Sequence, residues 1–456
     1  PAFYYLEKEF KKEKIFIPFL IFLSYLFFVV FSLISFWFSV DKINTIDHLF
    51  FYLSAFFLLI LGFNEKGKIL KNLKKILILL GLSFSFLSIL PKNWFEPTAL
   101  QLIFPLYPNH NHLGDFLGIV MIWLFYDFIH KKEKKDLVFL LIFLPFFLLS
   151  FSRSAYIDFL IIASIIFFTR VKVGKKIRKF ILGIFLIIFI TFLFTQKEIA
   201  SLPYLSRLLS PIYNFLNFQP RGFFSNRFEY FRQSLAGFLE KPFFGWGLGN
   251  FIYPSNKYTN ENLQQVASAL NLPLTILTET GIFGFFFFLL FFVFIIKNID
   301  FNKKPAYFLF FCLILNFLTD YTYAIYGVFL FWFLLAGCLL KKGEQKNFFL
   351  YSWFSLVLMI FIFLKTNGLI FTLIGYPQIG FYFFPFNHQT FQAVVNHYKN
   401  IGEINRAKKL ANQYYHFSSL SFSSLNYLSS FWEEFRDKRK TLFFSQRITD
   451  NNLFSS

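Results

Sequence analysis

The run from Ile15 to Val40, IFIPFLIFLSYLFFVVFSLISFWFSV, contains no charged residue. Such a stretch has few folds open to it. In hydrocarbon every backbone N–H and C=O needs a partner inside the protein, and a helix of about 20 apolar residues supplies all of them within one segment. The run is too long, and lacks the small-residue cleavage site, to be a removable signal peptide. It reads as a membrane span.

Counting it, about eleven runs have the apolar character of spans, several of them short. They lie near 15 to 40, 46 to 63, 76 to 90, 113 to 129, 137 to 150, 155 to 168, 180 to 195, 272 to 296, 306 to 319, 323 to 340 and 348 to 364, with 97 to 107 as a candidate re-entrant piece. Composition agrees: 56% of the 456 residues are hydrophobic and 15% charged. The expected fold is therefore an all-α polytopic membrane protein. Phe alone occurs 79 times, beside abundant Lys, Ile and Asn, a bias of composition in which no aromatic code is read.

A net charge of +20 in a soluble chain would suggest nucleic acid. Here the Lys and Arg cluster in short segments between apolar runs: 8 to 14, 66 to 75, 130 to 136, 169 to 179, 297 to 304 and 341 to 346. Every second loop is basic, so the positive-inside rule puts the N-terminus in the cytoplasm and the C-terminus outside. No nucleic-acid partner is implied. Cys312 and Cys338 lie in apolar spans without metal-ligand spacing, and neither a metal nor another cofactor is expected. A transmembrane domain of residues 1 to 364, with a long extracytoplasmic loop at 196 to 271, precedes an extracytoplasmic tail from 365 to 456.

Ionisable groups at membrane depth cost several kcal/mol by insertion scales, about 2.5–3.5 for Arg, Lys or Asp, so each is a functional candidate. Asp115, Arg153, Asp158, Glu279 and Asp320 all fall towards the outer ends of their spans. His110 and His112 of PNHNHLGDFLG, and Arg207, Arg221, Arg227 and Arg232 of the loop, fall on the same side. Asp127 alone lies at an inner end, beside a basic loop able to neutralise it. A mixed site at one face suits a substrate with an anionic head and a lipid tail, because the arginine fork matches phosphate oxygens. Helix-end charges snorkelling to water would occupy the same positions. The H-x-H pair has no further Cys, His or acidic ligand on its side at a convincing spacing for a metal.

In SNRFEYFRQSLAGFLEKPFFGWGLGNF, residues 225 to 251, Asn226 and Glu229 have capping-box spacing. Phe228, Phe231, Leu235, Phe238 and Leu239 then share one helix face, with Arg227 and Arg232 at its margins. This is the pattern of an interfacial helix, although a helix packed on a bundle shows the same stripe. The GWGLG that follows lacks a Lys-Ser/Thr and follows a helix rather than a strand, so it reads as a tight turn and not a phosphate loop.

Four elements in order, PNHNHLGDFLG, SFSRSAY at 150 to 156, SNRFEYFRQSL with KPFFGWGLGNF, and ALNLPLTILTETGIFG at 269 to 284, resemble the O-antigen ligase and polymerase family of membrane glycosyltransferases. The likeness covers about residues 100 to 340. It implies a metal-independent transferase of the cytoplasmic membrane that moves a glycan from a polyprenyl-diphosphate carrier in the outer leaflet to a glycan, lipid or protein acceptor. Carried onto matching positions, Arg153 and Arg227, and more weakly Arg221, would hold the diphosphate. Asn271 and Glu279 occupy the polar positions of the last motif, and Asn109, Asn111, Asp115 and Asp158 are supporting polar groups.

The family generally has His immediately before that Asn, as the base for the acceptor; this chain has Leu270. Leucine cannot move a proton, a step typically worth about 10²- to 10⁴-fold in rate. His110, His112 or Glu279 could serve in its place. An inactive homologue, or an error in the sequence at this position, would leave the same leucine. A polytopic exporter or flippase of lipid-linked sugars is the reading from another class. It should show broken helices in two similar halves and polar groups near the midplane. In the tail, Tyr398, Gly402 and Ala407 have the spacing of a tetratricopeptide helical hairpin, a single partial repeat where a stable array needs about three. The tail is expected to be a small helical appendage contacting acceptor or partner.

Overall fold

The computed structural model describes residues 15–89, 110–168, 175–197, 201–202, 206, 210, 227–259, 266, 268–320, 322–341, 345–347, 351–418 and 422–453. The candidate re-entrant piece 97 to 107 lies outside them. Helices form over the apolar runs: α1 Phe19–Phe38, α2 Lys42–Ile89, α3 His110–Lys131, α4 Lys134–Leu149, α5 Arg153–Phe168, α6 Lys175–Phe194, α9 Leu272–Lys297, α10 Lys304–Thr319, α11 Tyr326–Leu339 and α12 Tyr351–Leu373. Between α6 and α9 lie α7 Arg227–Glu240 and α8 Ile252–Tyr258, and after α12 come α13 Pro377–Phe383, α14 His388–Asn400, α15 Ile404–Phe417, α16 Phe422–Glu434 and α17 Lys438–Leu453. Among the described residues, α1, α2, α3 and α9 are long and apolar enough to cross a membrane, and α6, α10, α11 and α12 carry shorter apolar stretches.

Two features depart from the sequence reading. The basic segment after residue 63, expected as a loop, is helical: α2 runs through it with a single kink at Glu65 (φ −104°, ψ 18°). Its Glu, Lys and Leu residues favour helix, no proline interrupts it, and Glu65 meets Lys68 three residues on at 3.1 Å. The fold also includes a short antiparallel pair, β1 Phe16–Pro18 with β2 Gln345–Asn347. Pro18 disfavours helical geometry at the residue before it and starts α1 only afterwards.

The chain divides into two compact units, Pro1–Asn64 with Glu229–Asn298 and Lys342–Ser456, and Glu65–Phe228 with Ile299–Lys341. In the first, α1 and α9 pack antiparallel through aromatic pairs: Tyr25–Phe291 at 4.8 Å, Phe28–Phe288 at 5.2 Å and Phe31–Phe287 at 5.3 Å between ring centroids. Ser24, Ser32 and Ser35 are buried on that same face of α1, small side chains that let helices approach where apolar burial alone gives no drive.

The tail is the other part of this unit. Phe391, Val394 and Tyr398 of α14 are buried in one cluster with Leu425, Leu428 and Trp432 of α16. Each of the second set stands 34 residues after its counterpart. The left-handed Gly402 (φ 84°) likewise recurs as the left-handed Arg436 (φ 54°). The tail thus contains two successive helical hairpins at one period, where the sequence shows a single partial repeat.

In the second unit α3 is the buried centre, packed by α4, α5 and α10. Gly114 lets it meet the α4–α5 turn closely: a Cβ there would lie 2.4 Å from Ser150 Oγ and 2.7 Å from Ser152 Cβ. Near the other end of α3, buried Asp127 pairs with Lys74 at 2.7 Å and Lys131 at 2.8 Å. Trp123 Nε1 also donates to it at 3.2 Å. The neutralisation expected from the neighbouring basic residues is therefore made by direct ion pairs.

Candidate functional site

The turn SFSRSAY connects α4 to α5 through Phe151, whose φ of 48° is unusual for a bulky residue. That strained turn sends Ser152 and Ser154 towards α3. Ser152 Oγ donates to Asp115 Oδ1 at 3.4 Å, and Ser152 and Ser154 hydroxyls are 3.2 Å apart. Ser154 Oγ donates to Asp320 Oδ2 at 2.8 Å. On the far side of Asp115, Thr322 Oγ1 donates to Oδ2 at 2.8 Å. One turn into α5, Asp158 Oδ2 accepts from Asn316 Nδ2 and Thr319 Oγ1, each at 3.4 Å.

This is a polar cluster of three carboxylates inside an apolar bundle. Asp115, Asp158 and Asp320 are 2, 2 and 3% exposed. Buried carboxylates require hydrogen bonds and cations. Arg227 supplies a guanidinium: its Nη2 donates to Asp320 Oδ2 at 3.3 Å, and its side chain is 30% exposed. Asp320 uses one donor of a five-donor fork, and the partly exposed side chain has further N–H groups to offer an anion. A fixed, outward-reaching cation backed by a carboxylate can hold an anion without first having to be ordered.

Of the sequence candidates, Asp115, Asp158 and Arg227 are joined in this cluster or border it. His112 is buried one turn before Asp115 on α3, Asn111 is half-buried beside it, and Arg153 is half-buried at the first position of α5. His110 is described as the first helical residue of α3. Asn109, Arg207, Arg221 and Asn226 lie outside the described residues. Asp320 is absent from the set of binding residues that the sequence suggests, where it stands only as an acid at a span end. Its hydroxyl partner, Ser154, belongs to the SFSRSAY motif without a role of its own there.

Glu279 and Asn271 belong to the other compact unit. Asn271 caps α9, its side-chain oxygen accepting from Leu274 N at 3.0 Å. Leu270, immediately before it, is left-handed with φ 52°. Glu279 is 3% exposed and accepts from Phe251 N at 3.2 Å. Around it the loop KPFFGWGLGN forms a backbone clasp on a break in α9. Ile282 N donates to Pro242 O at 2.8 Å, Gly247 N to Glu279 O at 2.8 Å and Trp246 N to Thr278 O at 3.2 Å. The break requires Gly281, at φ 68° and ψ −172°. GWGLG is thus a tight loop, as the sequence suggested, and it is built against Glu279.

Helix α7 turns its polar face inwards. Gln233, Ser234 and Gly237 are buried, with Ser234 Oγ 2.6 Å from Thr278 Oγ1 and Gln233 Oε1 accepting from Ser255 Oγ at 2.9 Å. Phe228, Leu235 and Leu239 are 62, 48 and 74% exposed. Phe231 and Phe238 of the same stripe are half-buried, so the stripe is exposed along one margin, which favours the interfacial reading. Arg232 pairs with Glu229 and donates to the carbonyl oxygen of Tyr258. Its hydrogen bonds to Glu229 hold that carboxyl below its usual range.

Residues 137–289 match the family model described as O-antigen ligase. No curated protein matches the chain. The matched segment holds Arg153, Ser154, Asp158 and Arg227, while Asp115 and Asp320, which accept from Ser154, and Thr322, which donates to Asp115, come from outside it. With its apolar helices and a segment, residues 137–289, that matches the O-antigen ligase family model, the chain is a multi-pass membrane protein carrying an O-antigen ligase-like region.

Proposed function

We propose that the protein transfers a glycan from a polyprenyl-diphosphate carrier to an acceptor hydroxyl or amide at the outer leaflet of a bacterial cytoplasmic membrane. The alternation of basic segments between apolar runs supports placing the N-terminus in the cytoplasm and the tail outside. In the reaction the bond between the anomeric carbon and the phosphate oxygen breaks and a bond from that carbon to the acceptor forms. The carrier leaves as polyprenyl diphosphate, and the acceptor gives up a proton.

Arg227, with Arg153 and Arg221, would bind the diphosphate and stabilise the charge that grows on it as the sugar departs. Asp320 and Ser154 hold Arg227 for that task. His110 and His112, at the start of α3, are the groups proposed to take the acceptor proton where the family's own base is replaced by Leu270. Glu279, bonded to the loop backbone, is proposed as a positioning residue. No metal is invoked. The two hairpins at a 34-residue period support a tetratricopeptide-like tail that contacts acceptor or partner.

The observation that carries this reading is Arg227: it lies in the family-matched segment, reaches solvent, and is backed by a buried carboxylate. The test is reconstitution with a polyprenyl-diphosphate glycan and candidate acceptors, comparing the native chain with Arg227→Ala and His112→Ala. Transfer by the native chain that survives Arg227→Ala would sink the assignment of the site. Transfer that appears only after Leu270→His would favour a degenerate enzyme.

A further inference from the structure

A groove of about 600 Å³ runs along α2, α3 and α11 within the second unit. Its wall is apolar, from Leu73, Leu77, Leu80 and Phe84 on α2 to Ile119 on α3 and Val328 on α11, and its polar members are Lys68 and Asn72 at one end. From Lys68 to Phe84 the helical rise makes it about 24 Å long. We infer that this groove is a binding site for an anionic phospholipid, with the headgroup at Lys68 and Asn72 and one acyl chain laid along the wall.

The occupant follows from where the polarity is. A long apolar channel with cationic and amide donors at one end matches an amphiphile whose negative head sits at that end. Lys68, Asn72 and Lys75 fall on one stripe of α2, at i, i+4 and i+7. Lys75 is exposed and has no acidic partner among the described residues. Lys68 meets Glu65 at 3.1 Å with its own side chain 86% exposed, a pairing that leaves two of its three donors for a phosphate. A basic cluster flanking a span is the expected seat of anionic lipid. Gly327, in the lining, has open space beside it: an added Cβ would meet nothing within 4 Å. The groove is distinct from the Asp115 and Arg227 cluster and its proposed reaction.

The experiment uses the full chain in phosphatidylcholine nanodiscs carrying a trace of phosphatidylglycerol with a photoreactive group in its acyl chain. Labelled peptides are mapped by mass spectrometry. Labelling is expected on Leu77, Leu80 or Val328, and to fall about fivefold for each of Lys68→Gln and Lys75→Gln, the worth of one lysine near an anionic lipid. Gly327→Trp, which has room for its side chain, is expected to abolish labelling of these residues while leaving the protein folded. Equal labelling by a phosphatidylcholine probe with the same chain would overturn the inference in favour of ordinary boundary lipid. Displacement of the label by an equal mole fraction of polyprenyl diphosphate would overturn it in favour of a carrier-tail groove.

Discussion

Gly281→Ala tests the clasp that joins the glycine loop to α9. At φ 68° and ψ −172° the residue occupies a region open almost only to glycine, a conformation that costs other residues about 1–3 kcal/mol. A Cβ there would lie 2.3 Å from Phe243 O, 2.4 Å from Phe243 C and 2.6 Å from Phe244 N. All three are backbone atoms, so no rotamer change relieves the overlap. Overpacking of this kind adds about 1–3 kcal/mol. Moving the loop away would weaken the bonds from Ile282 N to Pro242 O and from Gly247 N to Glu279 O, each worth about 0.5–1.5 kcal/mol. The expected loss is about 4 kcal/mol, a large part of the stability of an ordinary domain. Gly183→Ala is the control. That glycine lies in α6 with nothing within 4 Å of an added Cβ, so alanine there should stabilise by about 0.5–1 kcal/mol through helix propensity. Unfolding would be followed by helical circular dichroism in micelles titrated with a denaturing detergent. A Gly281→Ala midpoint within experimental scatter of the parent would refute the clasp.

Leu270→Gly should raise stability by about 1 kcal/mol by removing a left-handed leucine. Leu270→His should be at least neutral, since histidine enters that region more readily; a loss in the glycine variant would contradict the backbone argument. Asp127→Asn should cost about 1–3 kcal/mol, less than breaking a wholly buried pair because Lys74 and Lys131 still reach water. Its detergent-unfolding midpoint is the check. Glu229 is held below its usual range, chiefly by its hydrogen bonds from Arg232. Its contribution is therefore complete above the ordinary carboxylate value and lost as pH falls through the lowered one. The difference in unfolding midpoint between parent and Glu229→Gln should be present at pH 7 and vanish in acid; a difference independent of pH would rule the pair out.

The helices are legible in the sequence because hydrocarbon leaves so few ways to satisfy a backbone, and apolar length alone locates α1, α3 and α9. The continuity of α2 is not, since a run of lysines reads as a loop signal whether or not its backbone is helical. Acids at span ends point to the cluster, and Asp115 and Asp158 are in it. Which of them meets Arg227 depends on the fold: Asp320 looks no different from its neighbours until Ser154 and Arg227 come to it from other elements. Glu279 shows the reverse. Its depth suggests chemistry, whereas its carboxylate accepts a backbone N–H of the glycine loop. In the tail the second hairpin is hidden because Phe391, Tyr398 and Gly402 recur as Leu425, Trp432 and Arg436, preserving bulk and backbone shape but not identity.

The central claim is that Arg227, fixed by Asp320, holds the diphosphate of a lipid-linked glycan. It is tested most directly by comparing the affinity of the native chain for a polyprenyl diphosphate and the corresponding monophosphate with that of Arg227→Ala. One charge-assisted hydrogen bond is worth about 1.5–3 kcal/mol. The native protein should therefore prefer the diphosphate by tenfold or more, on the order of 10–100-fold, and Arg227→Ala should lose that preference. Equal affinities for the two lipids in the native protein, or a preference unchanged by Arg227→Ala, would contradict it.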